Sequence, residues 1–281
     1  MNNVKKLITR TISGCIYVAL IVAAVISGCP WAFLTLFALF TVLGINEFHS
    51  LIGQGSEMSG KSAVMRIIDI VGATAIFIAL HFTLKGSVAV PLWLVALIAY
   101  FIVRLVAQLY VKSGNHIHSI ALSMMGIVYV AMPLSLLNVI YFSHSAKLLL
   151  AAFIFIWVND TGAYCVGSLI GRHRLFERLS PKKSWEGFWG GMAFSIAAAW
   201  LMQWLGFFPS SWSIAAAVGF AVVSSVFATW GDLFESLIKR TLGVKDSGNI
   251  MPGHGGILDR IDSLLLVAPA TLLYLLVINL L

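Results

Sequence analysis

Six of the eleven acidic residues, Asp160, Asp232, Glu235, Asp246, Asp259 and Asp262, lie in the second half of the chain, in or beside strongly apolar sequence. A carboxylate at membrane depth costs about 3 kcal/mol or more unless it is paired, protonated or metal-bound, so such a concentration marks a working region. Asp160, in Asn159-Asp160-Thr161-Gly162, interrupts an apolar run between Phe153, Ile156 and Trp157 on one side and Val166 and Leu169 on the other. It is expected to face a bundle interior; the plainer alternative is a structural acid paired with a basic neighbour. In GDLFESLIKR, Asp232, Glu235, Ser236 and Lys239 recur at i, i+3, i+4 and i+7, one helical stripe with an acidic and a basic end. An intrahelical ladder is the alternative, weakened because Asp232 sits inside the apolar run and Lys239 two turns away.

Two loops supply the opposite charge. In RHRLFERLSPKKSWEGFWGG, Ser180 and Pro181 are expected to turn the chain, and Lys182 and Lys183 are point charges suited to phosphate oxygens. Ser184 reads as the N-cap of a following helix with Glu186 in its first turn, and a helix N-terminus beside lysines is an anion site. The alternative is a solvated basic loop. Gly187 and Gly191 have the spacing of close helix packing. Further on, Lys245 and Asp246 lead into Pro252-Gly253-His254-Gly255-Gly256, whose glycines allow close backbone approach to a ligand. Asp259, Arg260 and Asp262 then open another helix, and the two acids are expected on one face. Carboxylates from separate helices form an all-oxygen donor set that suits Mg²⁺, with Mn²⁺ as a substitute, rather than zinc. The donor types leave open which of the six acids would hold the ion, with Asp262 and Asp246 as possible outer partners. Lysines, an arginine and a glycine loop suit polyphosphate.

These groups need a scaffold, and the composition dictates its kind. Of 281 residues, 60% are hydrophobic and 10% charged. A soluble globule could not hide that much apolar surface, so the expected fold is all-α, a polytopic transmembrane helical bundle. A spanning helix needs roughly 20 apolar residues, and about nine such stretches occur, near 11–28, 30–46, 66–84, 88–111, 119–142, 148–170, 187–207, 213–238 and 261–281. With the N-terminus in the cytoplasm, 16 of the 18 basic residues fall on the inner side, Arg104 among them, and only Lys85 and Lys147 outside. The net charge of +7 is therefore a membrane-surface feature and no nucleic-acid footprint. Glu47, Glu57, Asp69, Glu177 and Glu186 are expected in loops or near helix ends. Lys5, Lys6 and Arg10 before an apolar run resemble a leader, but Pro30 opens a second run at once, so a retained first helix is expected. Cys15, Cys29 and Cys165 form no paired motif. Residues 1–147 are read as scaffold helices and 148–281 as the catalytic region of one integral membrane unit.

The stretch Ser236–Asp262, SLIKRTLGVKDSGNIMPGHGGILDRID, resembles the defining motif of the phosphatidate cytidylyltransferase (CDP-diacylglycerol synthase) family, and NDTGAYCVGSLIG and LSPKKSWEGFWGG resemble its upstream segments. Met251 is a conservative departure. The resemblance implies Mg²⁺-dependent conversion of CTP and phosphatidate to CDP-diacylglycerol and pyrophosphate, at the inner (cytoplasmic) membrane, by a multi-pass homodimer. It implies that Asp232 and Asp259 bind metal and that Lys239 is essential. It places other motif groups at Ser236, Arg240, Lys245, Asp246, His254, Arg260 and Asp262. With Asp160, Lys182, Lys183, Ser184, Gly255 and Gly256, and leaving Asp246 and Asp262 to the metal, these are the expected substrate contacts. Two rivals are a related nucleotidyltransferase acting on another lipid phosphate and a cation-coupled transporter. The latter would show inverted repeats, which the sequence lacks, and would have no need of the glycine loop.

Overall fold

The computed structural model describes residues 3–55, 63–86, 90–112, 114–251 and 255–278. Glu57, Lys61 and His254 lie outside the described residues. Among those described, nine continuous helices coincide with the nine apolar stretches: α1 (Asn3–Ile26), α2 (Pro30–Gly55), α3 (Ala63–Leu84), α4 (Leu92–Leu109), α5 (His116–His144), α6 (Ala146–Ile170), α7 (Trp185–Trp204), α8 (Ile214–Thr241) and α9 (Leu258–Ile278). Seven are long and apolar enough to cross a membrane; α7 and the 16-residue apolar part of α1, Thr11–Ile26, fall short of that standard. The protein is a helical, polytopic membrane protein. Its one departure from all-α is a small antiparallel hairpin, β1 (Arg174–Phe176) and β2 (Ser180–Ser184). Helix α5 absorbs Pro133 by widening into π-turns at Ile127–Ala131 and Ile140–His144, since proline offers no N–H to the preceding turn.

The chain divides into two compact units. The first holds residues 1–143 and 241–260, the second 144–240 and 261–281. The first unit packs an aromatic core in which Phe33 lies 4.7 Å from Phe37 and 4.4 Å from Tyr141, ring centre to ring centre. It also contains two acids that the sequence placed near helix ends. Glu47 is inside α2, and Asp69 is inside α3 and 1% exposed. Asp69 accepts Tyr100 Oη at 2.8 Å and Ser123 Oγ at 2.5 Å, and His49 Nε2 and Arg104 Nε lie 2.9 and 3.3 Å from its carboxylate. Arg104 is wholly buried and also reaches Gln108 and Ser119, so it is a core ion-pair partner rather than a cytoplasmic surface charge. That network satisfies both charges, the condition under which a buried pair survives.

In the second unit, α6 and α7 pack backbone to backbone. A side chain at Gly191 would strike the carbonyl and side-chain oxygens of Asn159, one at Gly187 the Ala163 carbonyl, and one at Gly162 the Phe194 side chain. The glycine spacing thus serves helix packing, as expected. Leu175 and Leu179 of the hairpin join Phe188 and Leu233 in a buried cluster backed by Met192, Val226, Trp230 and Leu237. That cluster fixes the hairpin against α7 and α8.

Candidate functional site

The second unit contains a cavity of about 560 Å³ lined by the end of α6, the hairpin, the start of α7 and α8. Each wall follows from local sequence. The hairpin alternates: Leu175 turns inward while Arg174 and Phe176 stay exposed. Ser180 and Pro181 begin β2 rather than making the turn, which falls at 177–179; the register Arg174↔Ser184 then brings the lysines to the cavity. Ser184 caps α7, accepting Gly187 N at 3.1 Å. Glu186 clasps the hairpin's entry, accepting His173 Nδ1 at 2.6 Å and the amides of Arg172 and His173 at 3.1 and 3.2 Å. The His173 bond, then backbone donors, hold the Glu186 carboxyl down at about 2.

Inside this cavity Lys183 Nζ lies 2.7 Å from Asp232 Oδ2. Ser236 Oγ donates to the other Asp232 oxygen at 3.3 Å, one turn along the same stripe. Asp160, Arg174, Lys182, Ser184 and Thr229 share the lining. Asp160 is exposed at the cavity and does not face a packed interior. Asp262, half-buried on α9, feels the charges of Asp232, Glu235 and Asp160. The stripe's basic end is engaged along its own helix: Lys239 Nζ pairs with Glu235 Oε2 at 2.5 Å, and both are buried. The ladder alternative therefore holds for that rung. Arg240 Nε reaches the Leu179 carbonyl at 3.4 Å.

Asp259 and Asp246 belong to the first unit. There Asp259 Oδ2 accepts Ser247 N at 2.9 Å, Ser247 Oγ at 3.0 Å and Gly256 N at 2.8 Å. Gly255 has φ +84°, and a side chain there would strike the Asp259 carboxylate. Gly255 and Gly256 thus approach the chain's own acids. Lys245 and Asp246 are exposed. Arg260 is half-buried and accepts Tyr17 Oη at its carbonyl, 2.9 Å.

The donor chemistry fits a hard divalent cation. Among the described residues no three His, Cys, Asp or Glu side chains gather tightly enough to hold an ion alone. Mg²⁺ asks for less, since it commonly takes one or two carboxylates and completes its shell with water and substrate phosphate. Asp232 with Asp160 or Asp262 meets that requirement.

The pattern of the cytidylyltransferase family matches residues 8–278. The chain belongs to the cytidylyltransferase family. Among its relatives, a phosphatidate cytidylyltransferase of Staphylococcus saprophyticus is 38% identical over 208 residues, 73% of this chain and 78% of the relative. Those of Staphylococcus epidermidis and Staphylococcus aureus are 46% and 44% identical over 127 and 128 residues, 45% of this chain and 48% of theirs. The chain thus spans about half the length of these last two. At this cavity, sequence reasoning did not single out Arg174, although it lies in the basic loop it quoted, or Thr229, and it read Glu186 as a first-turn acid without its His173 partner. It also passed over Glu47, an acid in an apolar run that the rule used for Asp160 would have flagged.

Proposed function

We propose that the protein is a membrane phosphatidate cytidylyltransferase that makes CDP-diacylglycerol and pyrophosphate from CTP and phosphatidate. The observation that carries this reading is the cavity where Lys182, Lys183 and Arg174 stand beside Asp232 and Asp160. Family membership and the names of the relatives support it.

A phosphate oxygen of phosphatidate attacks the α-phosphorus of CTP, the bond to the bridging oxygen breaks, and pyrophosphate leaves with that electron pair. The lipid phosphate is largely ionised near neutral pH, so the step needs no general base. Its difficulty is bringing polyanions together, and the chain's residues address that. Lys182, Lys183 and Arg174 hold triphosphate oxygens, and the capped N-terminus of α7 adds its dipole. Thr229 and Ser236 offer hydroxyls beside Asp232. Mg²⁺, when bound, would supply positive charge that offsets the charge of the phosphates. Asp232 would hold it, with Asp160 and Asp262 as neighbouring acids; the resemblance assigns a metal role to Asp259 as well. The resemblance also makes Lys239 essential, a role in which it would neutralise phosphate in competition with Glu235. Lys245, Asp246, Arg240, His254 and Arg260 complete the proposed contacts.

The diacyl substrate stays in the bilayer, since each buried CH₂ is worth about 0.8 kcal/mol, so the lipid enters from the membrane and CTP from the cytoplasm. On this reading the site faces the cytoplasm, the division of basic residues favours a cytoplasmic N-terminus in the inner membrane, and the resemblance favours a homodimer. Purified protein in detergent should transfer label from CTP to lipid only with phosphatidate. Label accepted by a different lipid phosphate, or none at all, would overturn the substrate assignment. Reporter fusions after Phe208 and at the C-terminus should both read as external; a cytoplasmic signal at either would overturn the topology.

A further inference from the structure

Glu47 is the largest departure from the picture of inert amino-terminal helices. It sits in α2 and is 3% exposed. Its Oε2 accepts the amide of Leu258, the first residue of α9, at 2.8 Å, and Ser247 Oγ at 3.3 Å. Its Oε1 is buried with no hydrogen-bond donor among the described residues. That carboxylate fills the space over Gly248 and Gly256, where any side chain would collide with it. Ser247 in turn donates to Asp259 through both its amide and its hydroxyl. A hydroxyl carries one proton, so Ser247 serves Glu47 or Asp259 at any moment, and its position depends on both.

We propose that Glu47 is a positioning residue for the transfer reaction, fixing the Asp259 carboxylate through Ser247 and the first turn of α9. The idea rests on the cytidylyltransferase reading for its catalytic consequence, although the coupling itself is a property of the fold. A buried carboxylate costs too much to keep for packing alone, since Leu or Met would fill the volume without desolvating a charge. What an apolar residue could not do is accept the Leu258 amide and the Ser247 hydroxyl together. The two bonds tie a helix start and a loop residue to one rigid helix. The glycines at 248 and 256 fit the same purpose, because they let the loop close down on the carboxylate.

The test uses the full-length protein in detergent, with Glu47→Ala, Glu47→Gln and Ser247→Ala as variants. The readouts are kcat, the KM for CTP, the Mg²⁺ concentration at half-maximal rate, Tm and amide exchange. Gly256 is the informative amide, because it donates to Asp259 and not to Glu47. Glu47→Ala should cost about 10- to 100-fold in kcat or in apparent Mg²⁺ affinity, the usual effect of removing an outer-shell partner, with the KM for CTP little changed. It should also lower protection at Gly256 and Leu258. Ser247→Ala should shift kcat and Gly256 protection the same way. Glu47→Gln keeps an acceptor oxygen and the side-chain shape, so it should stay within about fivefold of wild type. Asp69→Asn, another buried acid in the same unit, controls for lost stability. Wild-type kcat and Mg²⁺ dependence in Glu47→Ala would overturn the proposal. So would unchanged Gly256 protection, or an equal kinetic loss in Asp69→Asn at matched Tm. If the wild type transferred no cytidylyl group from CTP to lipid, the functional reading would fail, while Gly256 exchange would still decide the coupling.

Discussion

Replacing Lys183 with Met separates its two proposed jobs, because they respond in opposite directions. Lys183 lies 2.7 Å from Asp232, with side chains 25% and 35% exposed. At that exposure solvent screens the pair, and its net worth is about 1 kcal/mol, the upper end for surface ion pairs. A divalent ion reaching Asp232 in the substrate-free protein must first displace Lys183. Met keeps the stem and removes the charge, so Lys183→Met should bind Mn²⁺ about fivefold more tightly without nucleotide. The same change removes a charge-assisted bond to a phosphate oxygen, worth about 1.5–3 kcal/mol, so CTP should bind about 10- to 150-fold more weakly. Lys182 is exposed and makes no ion pair with Asp232 among the described residues; Lys182→Met should weaken CTP and leave Mn²⁺ unchanged. Mn²⁺ binding is read by electron paramagnetic resonance on apo protein, and CTP by equilibrium dialysis. Unchanged or weaker Mn²⁺ binding in Lys183→Met would refute the exchange.

The remaining expectations follow from the same contacts. Asp232→Asn and Asp259→Asn should each abolish label transfer, and the double variant should do no worse, since both disable one function; chelation should silence the wild type and Mg²⁺ or Mn²⁺ restore it. Asp69→Asn leaves Arg104 buried without its counter-charge and should cost about 3–5 kcal/mol, read as a lower Tm with kcat per folded protein preserved. Glu186 is held at about 2 against an ordinary 4.5, so its clasp is fully formed above 4.5 and is lost as pH falls from there toward 2. Glu186→Gln should flatten that acid-range dependence of Tm and raise the KM for CTP, because the hairpin carrying Lys182 and Lys183 loses its anchor.

Apolar length was the legible part of this fold: all nine stretches became helices, because in lipid an apolar run of roughly 20 residues can satisfy its own backbone polar groups only as a helix. The Asp232–Ser236 relation was legible too, being fixed by helical period alone. Helix ends were less so. Reading α2 as stopping near residue 46 moved Glu47 out of the core, since charge density blurs a hydropathy boundary by a turn. Arg104 was misread for a related reason: positive-inside counting treats every arginine as solvated and cannot see a counter-ion 35 residues away. The hairpin was illegible because two strands of three and five residues carry no period, and their register is set by Leu175 and Leu179 packing on α7 and α8. For the glycine loop, sequence shows that a backbone can approach something closely, and the structure adds that Gly255 and Gly256 approach Asp259 and Glu47.

The acids fall into two kinds, and their partners distinguish them. Asp69 is saturated: two hydroxyl donors and two nitrogen neighbours from three helices, α2, α4 and α5, hold it, and it is 1% exposed. A carboxylate so held cannot take a new ligand without breaking several bonds at once, which suits a structural role. Asp232 has Lys183 and Ser236 among the described residues, is a third exposed and borders a cavity, so a single side-chain swing frees it. Asp259 lies between these extremes. Its Oδ2 takes three donors from a loop, yet that loop is itself held by Glu47. Exchange of partners is what a charge must do if it meets polyanionic substrates on every turnover and must stay neutralised between them. Partner number and exposure therefore separate the carboxylates proposed to work from the structural ones, where membrane depth alone could not.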